Sequence, residues 1–184
     1  MKITEEQKAL ARKCAQENIR SGLNCSESVL NALLRAKIID FPEEATALAS
    51  GLNGGVGSAG YTCGALSSAM ISLGAVYGRR DPIANRAKIL HDKNSLHQVE
   101  DPKEDYRYYF MRRFNACVQE FKDTMGTCTC KEVVDANGGY YSPDRQKKCE
   151  QMIHCGVEMA LKYIDMEQEE ANKLPFGDNL FGWE

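Results

Sequence analysis

The stretch from Ser50 to Met70 constrains this chain more than any other. It runs Ser50-Gly51-Leu52-Asn53-Gly54-Gly55-Val56-Gly57, reaches Gly60-Tyr61-Thr62-Cys63, and continues as Gly64-Ala65-Leu66-Ser67-Ser68-Ala69-Met70. Glycines let backbone approach backbone, or a ligand, with no Cβ in the way. Gly54, Gly55, Gly57 and Gly64 are therefore the candidate binding glycines. Cys63 stands where the loop gives way to a lean helix, expected over about Thr62 to Tyr77 and closed by Gly78. A cysteine at a helix start lies among unpaired N–H groups that favour its thiolate. The loop and Cys63 read as the floor of a cysteine site. The small residues of the helix let neighbours pack close, which marks it as the central helix.

The rest of the chain is helical in pattern. Thr4 with Gln7 is a capping box, followed by Leu10, Ala11, Cys14 and Ala15 at helical spacing. Asn24 caps a second helix, Cys25 to about Lys37, whose buried side is Val29, Leu30, Leu33 and Leu34. Asp40-Phe41-Pro42 opens a third, with Ala45, Leu48 and Ala49 inward. Asp81-Pro82 opens another, with Ile83, Ala87 and Leu90, ahead of a polar segment at 91–104. Asp105 to Met125 carries Tyr109, Phe110, Phe114, Cys117, Val118 and Phe121. A short turn follows at Lys131–Val134. Ser142-Pro143-Asp144 starts the last long helix, to about Ile164. No segment alternates with period two. The expectation is an all-α, single-domain bundle of about seven helices around the small-residue helix. The domain takes residues 1–165, and the tail 166–184, with Phe176, Phe181 and Trp183, either folds back or serves as an arm for a homodimer.

Composition excludes several classes. A formal net charge of -3 with charges of both signs mixed gives no footprint for nucleic acid. Arg79-Arg80 and Arg112-Arg113 read as solvated helix surface. The longest apolar stretch, Ala65 to Val76, is interrupted by serines and shorter than the ~20 residues a membrane span needs. The N-terminus lacks the apolar core of a signal peptide, so a cytoplasmic protein is expected. Gly54-Gly55-Val56-Gly57 follows no strand and lacks the Lys-Ser/Thr of a phosphate loop.

In a reducing compartment the eight cysteines point to metal or redox chemistry rather than structural disulfides. Cys14 and Cys117 lie on apolar faces and read as core. Cys25, Cys63, Cys128, Cys130 and Cys149 remain, with Cys155 as a further candidate. Cys25, Cys63 and Cys130 fall at or near helix starts. A helix end is worth roughly 0.3–1 kcal/mol, at most ~2. It moves a thiol from about 8.5 to about 7–8, which activates one cysteine but does not hold several thiolates together. That takes a metal, a cluster or a disulfide. There is no C-x-x-C and no C-x-x-C-H, so zinc ribbons and covalent haem c are disfavoured. Spacing alone leaves a shared site and scattered thiols both open. His154 is a minor ligand candidate; His91 and His97 lie in the polar segment.

Gly54-Gly55-Val56-Gly57, Cys63-Gly64-Ala65-Leu66-Ser67, Leu73-Gly74 and Tyr77-Gly78-Arg79 together resemble the C_GCAxxG_C_C family of redox-active proteins. Asn24-Cys25 resembles its first cysteine, Gly126-Thr127 with Cys130-Lys131-Glu132-Val133 its third, and Cys149 its fourth. The fourth is either Cys149 or Cys155. The likeness covers about residues 10–165. Ser68 replaces the last glycine of the central motif, and Cys128 and Cys155 are extra. Related sequence is also similar to part of a split-Soret cytochrome, without a haem-attachment motif here.

Three functions follow as expectations. In the first, Cys25, Cys63, Cys130 and Cys149, with or without Cys128, bind an iron–sulfur cluster or another thiophilic metal and exchange electrons with a redox partner. In the second, the chain is a metal-free thiol–disulfide oxidoreductase, with Cys63 attacking and Cys25 or Cys130 resolving. In the third, it is a helical interaction module whose cysteines only pack.

Overall fold

Two reciprocal caps set the first pair of helices. The Thr4 hydroxyl accepts from Gln7 N–H at 3.1 Å, and the Gln7 side chain accepts from Thr4 N–H at 3.1 Å. This starts α1, Glu5–Arg20. Asn24 Oδ1 accepts from Ser26 and Glu27 N–H at 3.1 and 3.0 Å, and Glu27 returns the bond to Asn24 N–H at 3.1 Å. This starts α2, Cys25–Arg35, on Cys25 itself. Asn24→Ala is expected to cost about 1 kcal/mol, because two N–H groups lose their acceptor. A shift of the urea midpoint at unchanged slope measures it.

The computed structural model describes residues 2–79 and 106–184. The helix expected from Asp81-Pro82, the polar segment at 91–104, His91 and His97 lie outside the described residues. Beyond α2 come a 3-10 helix, Glu43–Leu52, then α3, Gly64–Tyr77, and α4, Tyr106–Met125. They are followed by α5, Cys130–Ala136, α6, Pro143–Asp165, and α7, Gln168–Ala171. Among the described residues the only β-pairing is an isolated antiparallel bridge between Thr62 and Thr129. The fold is all-α. No described helix is long and apolar enough to cross a membrane.

The third helix is wound more tightly than its pattern implied. The Thr46 hydroxyl donates to the Glu43 carbonyl at 2.7 Å, one tight turn back. With about three residues per turn, Ala45 aligns with Leu48, and Ala49 falls a third of a turn away. Ala49 is fully buried while Leu48 is 72% exposed.

The small-residue helix α3 packs against both α2 and α6. Ala65, Ala69, Ser68, Ser72 and Leu73 are fully buried. Gly156 of α6 makes the closest approach: a Cβ there would lie 2.9 Å from the Ala65 carbonyl oxygen. Ser68 is enclosed, and its hydroxyl makes no hydrogen bond.

Arg112 and Arg113 are buried, which overturns their reading as surface. The last turn of α6 leaves carbonyls without helical partners. Arg113 donates to two of them, Tyr163 O and Met166 O, with its guanidinium 3.8 Å from the Tyr77 ring centroid. Arg112 donates to Leu174 O and lies 4.8 Å from the Phe176 ring. The tail folds back on α4. Phe176 and Trp183 pack on Tyr108 at 5.3 and 5.6 Å between ring centroids, and Asn115 bonds Gly177 N–H and Asp178 O at 2.8 and 3.0 Å. This covers Tyr108 and leaves Tyr109 exposed, one position off the expected stripe.

Candidate functional site

The glycine loop coils left-handed. Gly54, Gly55, Val56, Gly57 and Ser58 have φ of 62°, 76°, 62°, 60° and 61°. For residues with a Cβ this conformation costs roughly 1–2 kcal/mol each, so a glycine-rich sequence is needed and Val56 and Ser58 carry strain. Hydrogen bonds hold the coil: Ser58 N–H to Asn53 O at 2.8 Å, Gly60 N–H to Gly54 O at 2.9 Å, Tyr61 N–H to Gly55 O at 3.0 Å. The loop then pairs with the segment before α5. Cys63 N–H donates to Cys128 O and Cys130 N–H to Tyr61 O, both at 2.7 Å. The starts of α3 and α5 are thereby clasped side by side.

Two glycines seat the neighbouring cysteines. A Cβ on Gly64 would lie 2.7 Å from Cys25 Sγ and 2.9 Å from Leu52 O. A Cβ on Gly55 would lie 2.8 Å from Cys130 Cβ and 2.5 Å from Tyr61 N. Gly54 contributes through its backbone amide, which favours the charged form of the Cys25 thiol. Gly57 has nothing within 4 Å of its Cβ direction, so it serves the conformation and contacts no cysteine.

All eight cysteines are free thiols. Three of them, Cys25, Cys63 and Cys130, are shifted by burial and by neighbouring thiols. Burial pushes Cys25 up, Cys149 pushes it further, and backbone hydrogen bonds at Gly54 and Ser26 oppose the rise. Burial pushes Cys63 up to about 12; charge on Cys25 and Cys130 adds to this, and backbone hydrogen bonds at Ala65 and Leu66 oppose it. Cys130 is raised by burial, then by Cys25 and Cys149, with Arg145 pulling the other way. Cys25 thus lies within electrostatic reach of Cys63, Cys130 and Cys149; Cys25, Cys63 and Cys130 stand at helix starts, and Cys149 lies in the second turn of α6. The expected activation of Cys63 does not hold: burial outweighs the helix end.

The other cysteines lie elsewhere. Cys128 Sγ points to α4, donating to Val118 O at 3.9 Å, and with Cys117 and Cys155 it makes a separate neighbourhood. It is not brought to the other four ligand candidates, because its backbone rather than its thiol serves the clasp. Cys149, not Cys155, neighbours Cys25 and Cys130. Cys14 and Cys117 are core residues. His154 Nε2 pairs with Gln16 at 3.1 Å.

Two site residues were missed in the sequence. Asn53 Oδ1 accepts from the Cys25 thiol at 3.8 Å. Arg145 Nη1 donates to Cys149 Sγ at 3.7 Å. Arg145 precedes Cys149 by four residues, a spacing that puts side chains together on a helix.

Four sulfur donors suit a soft metal or a cluster, and the glycine cradle and the N–H groups facing Cys25 and Cys63 fit thiolate charge. As the side chains stand, no three His, Cys, Asp or Glu among the described residues are gathered closely enough to hold a metal ion.

The fold and site together define a helical protein with several cysteines at the mouths of its helices. The chain belongs to the family described as "Putative redox-active protein (C_GCAxxG_C_C)", whose model matches residues 23–163. That span opens just before Cys25 and takes in the glycine loop, Cys63, Cys130 and Cys149. No curated protein and no solved structure matches the chain.

Proposed function

We propose that this redox-family chain binds a thiophilic metal ion or an iron–sulfur cluster through Cys25, Cys63, Cys130 and Cys149. The observation that carries the reading is the seating of Cys25 against Gly64 and of Cys130 against Gly55, with Cβ-to-atom separations of 2.7 and 2.8 Å that admit no larger residue. Glycine at those two positions lets the starts of α2, α3 and α5 converge. The raised Cys63 thiol weighs against the metal-free nucleophile. A thiol held up to about 12 is a poor nucleophile at neutral pH, whereas a bound metal deprotonates it outright.

When bound, the group would supply one-electron chemistry or a rigid cross-link between helices. The chain's own residues do the rest. Backbone amides at Gly54, Ser26, Ala65 and Leu66 face two of the sulfurs and stabilise their negative charge. Burial of Cys63 excludes water from that sulfur. Binding releases thiol protons, so affinity rises with pH. A reducing compartment such as the cytoplasm keeps the thiols available, and a separate redox partner supplies or takes electrons.

Anaerobic reconstitution with iron and sulfide, and separately with zinc, tests this. Stoichiometric metal is expected, lost in Cys25→Ser, Cys63→Ser, Cys130→Ser and Cys149→Ser and kept in Cys14→Ala and Cys128→Ala. Sub-stoichiometric metal, with every thiol still open to alkylation in the unfolded chain, overturns it.

A further inference from the structure

The first turns of α6 carry three cations, Arg145, Lys147 and Lys148, and Arg145 is the one that reaches the thiols. Its Nη1 is 3.7 Å from Cys149 Sγ. Its guanidinium carbon lies 4.5 Å from the centroid of the Tyr140 ring, just before the helix. Its Nε is buried and makes no hydrogen bond. Lys147 pairs with Asp144 at 3.7 Å, and Lys131, on α5, pairs with Asp135 at 2.7 Å. Among the described residues no carboxylate forms an ion pair with Arg145, so its positive charge is presented to Cys149.

That placement matters for the chemistry proposed above, on which this inference rests. Four thiolates around a divalent ion leave two negative charges in a half-enclosed site. Water screens them poorly there, so a fixed cation contributes far more than one on an open surface. A guanidinium can donate to sulfur while its face lies on an aromatic ring, which fixes its position; an ammonium supplies the charge without the planar fork. We propose that Arg145, held by Tyr140, is a positioning residue that orients Cys149 and compensates the negative charge of the metal-loaded four-thiol site. It touches a ligand rather than the metal, and it acts through Cys149.

The test is an anaerobic titration of the reduced, metal-free full chain with Co(II), read by the thiolate-to-cobalt absorption band, with the metal-free unfolding midpoint measured alongside. Arg145→Gln is expected to bind Co(II) about 10–100-fold more weakly, the range seen when a residue supporting a metal ligand is removed. Its unfolding midpoint should stay at the wild-type value. Arg145→Lys should recover most of the affinity, and Lys147→Gln should bind as the wild type does. Equal affinity in Arg145→Gln overturns the proposal while leaving the metal reading in place. So does a loss in Lys147→Gln as large as in Arg145→Gln, since that reports the general field of the helix. An Arg145→Lys variant no better than Arg145→Gln rejects charge compensation. No band in the wild-type chain overturns the metal reading and this proposal with it.

Discussion

Gly156→Val is expected to destabilise the protein by about 3 kcal/mol or more, at or beyond the upper end of ordinary overpacking. A Cβ at Gly156 would stand 2.9 Å from the Ala65 carbonyl oxygen, 3.2 Å from its carbon and 3.2 Å from Val29 Cγ2. The first two are backbone atoms of α3 and cannot rotate aside. The third belongs to a fully buried side chain of α2. Three helices meet there, so relief requires moving one of them. Gly156→Ala is the milder case: replacing glycine in a helix gains about 1 kcal/mol of propensity, which offsets part of the same contact. Valine adds two methyl groups and loses most of that gain to its stiff χ1. Urea unfolding of the two variants reads the difference. A valine variant within about 1 kcal/mol of wild type would show that α6 reseats easily, contrary to close packing as the source of the cost. The same displacement would move Cys149, on α6, relative to Cys63, at the mouth of α3.

Helix starts were legible in the sequence because they are local. Thr4 with Gln7, Asn24 before Cys25, and Ser142-Pro143-Asp144 each satisfy their own N–H groups within one turn, and each stands where its residues placed it. The cysteines were legible through order and resemblance. What they face was not, because that is decided by residues distant in the chain. Cys128 and Cys130 are two positions apart, yet one thiol goes to α4 and the other to the neighbourhood of Cys25 and Cys149. Arg113 shows the same limit. A charged pair on a helix reads as surface until the carbonyl end of another helix arrives to accept from it. Leu48 differs for another reason: an inward pattern with Ala45 and Ala49 implies a period of 3.6, and the segment is wound near 3. The left-handed coil had a signal in its glycines, but Val56 and Ser58 gave none, since their φ is imposed by the bonds on either side.

That coil gives a second large effect, and it separates two causes that glycine usually mixes. Gly55 and Gly57 have nearly the same backbone, with φ of 76° and 60°. Alanine at either position carries the left-handed penalty, about 1–2 kcal/mol. The surroundings differ. At Gly57 a Cβ enters open space, with nothing inside 4 Å. At Gly55 it would meet Tyr61 N at 2.5 Å, Gly60 C at 2.8 Å and Cys130 Cβ at 2.8 Å. Those backbone atoms belong to Gly60 and Tyr61, whose carbonyls accept from Lys131 N–H and Cys130 N–H, so they cannot yield without opening the clasp. Gly57→Ala should lose only the conformational term and keep wild-type affinity for Co(II). Gly55→Ala should lose at least ~2 kcal/mol beyond that, in the range of overpacking against a fixed neighbour, and its Co(II) affinity should fall with it as Cys130 is pushed away from Cys25. Unfolding midpoints and cobalt titrations of the pair measure both. Equal losses in the two variants would reduce the loop to a matter of φ and remove Gly55 from the site. A larger loss at Gly55, with affinity falling in step, ties the glycine run to the spacing of the thiols, because the coil is then what holds the start of α5 against the start of α3.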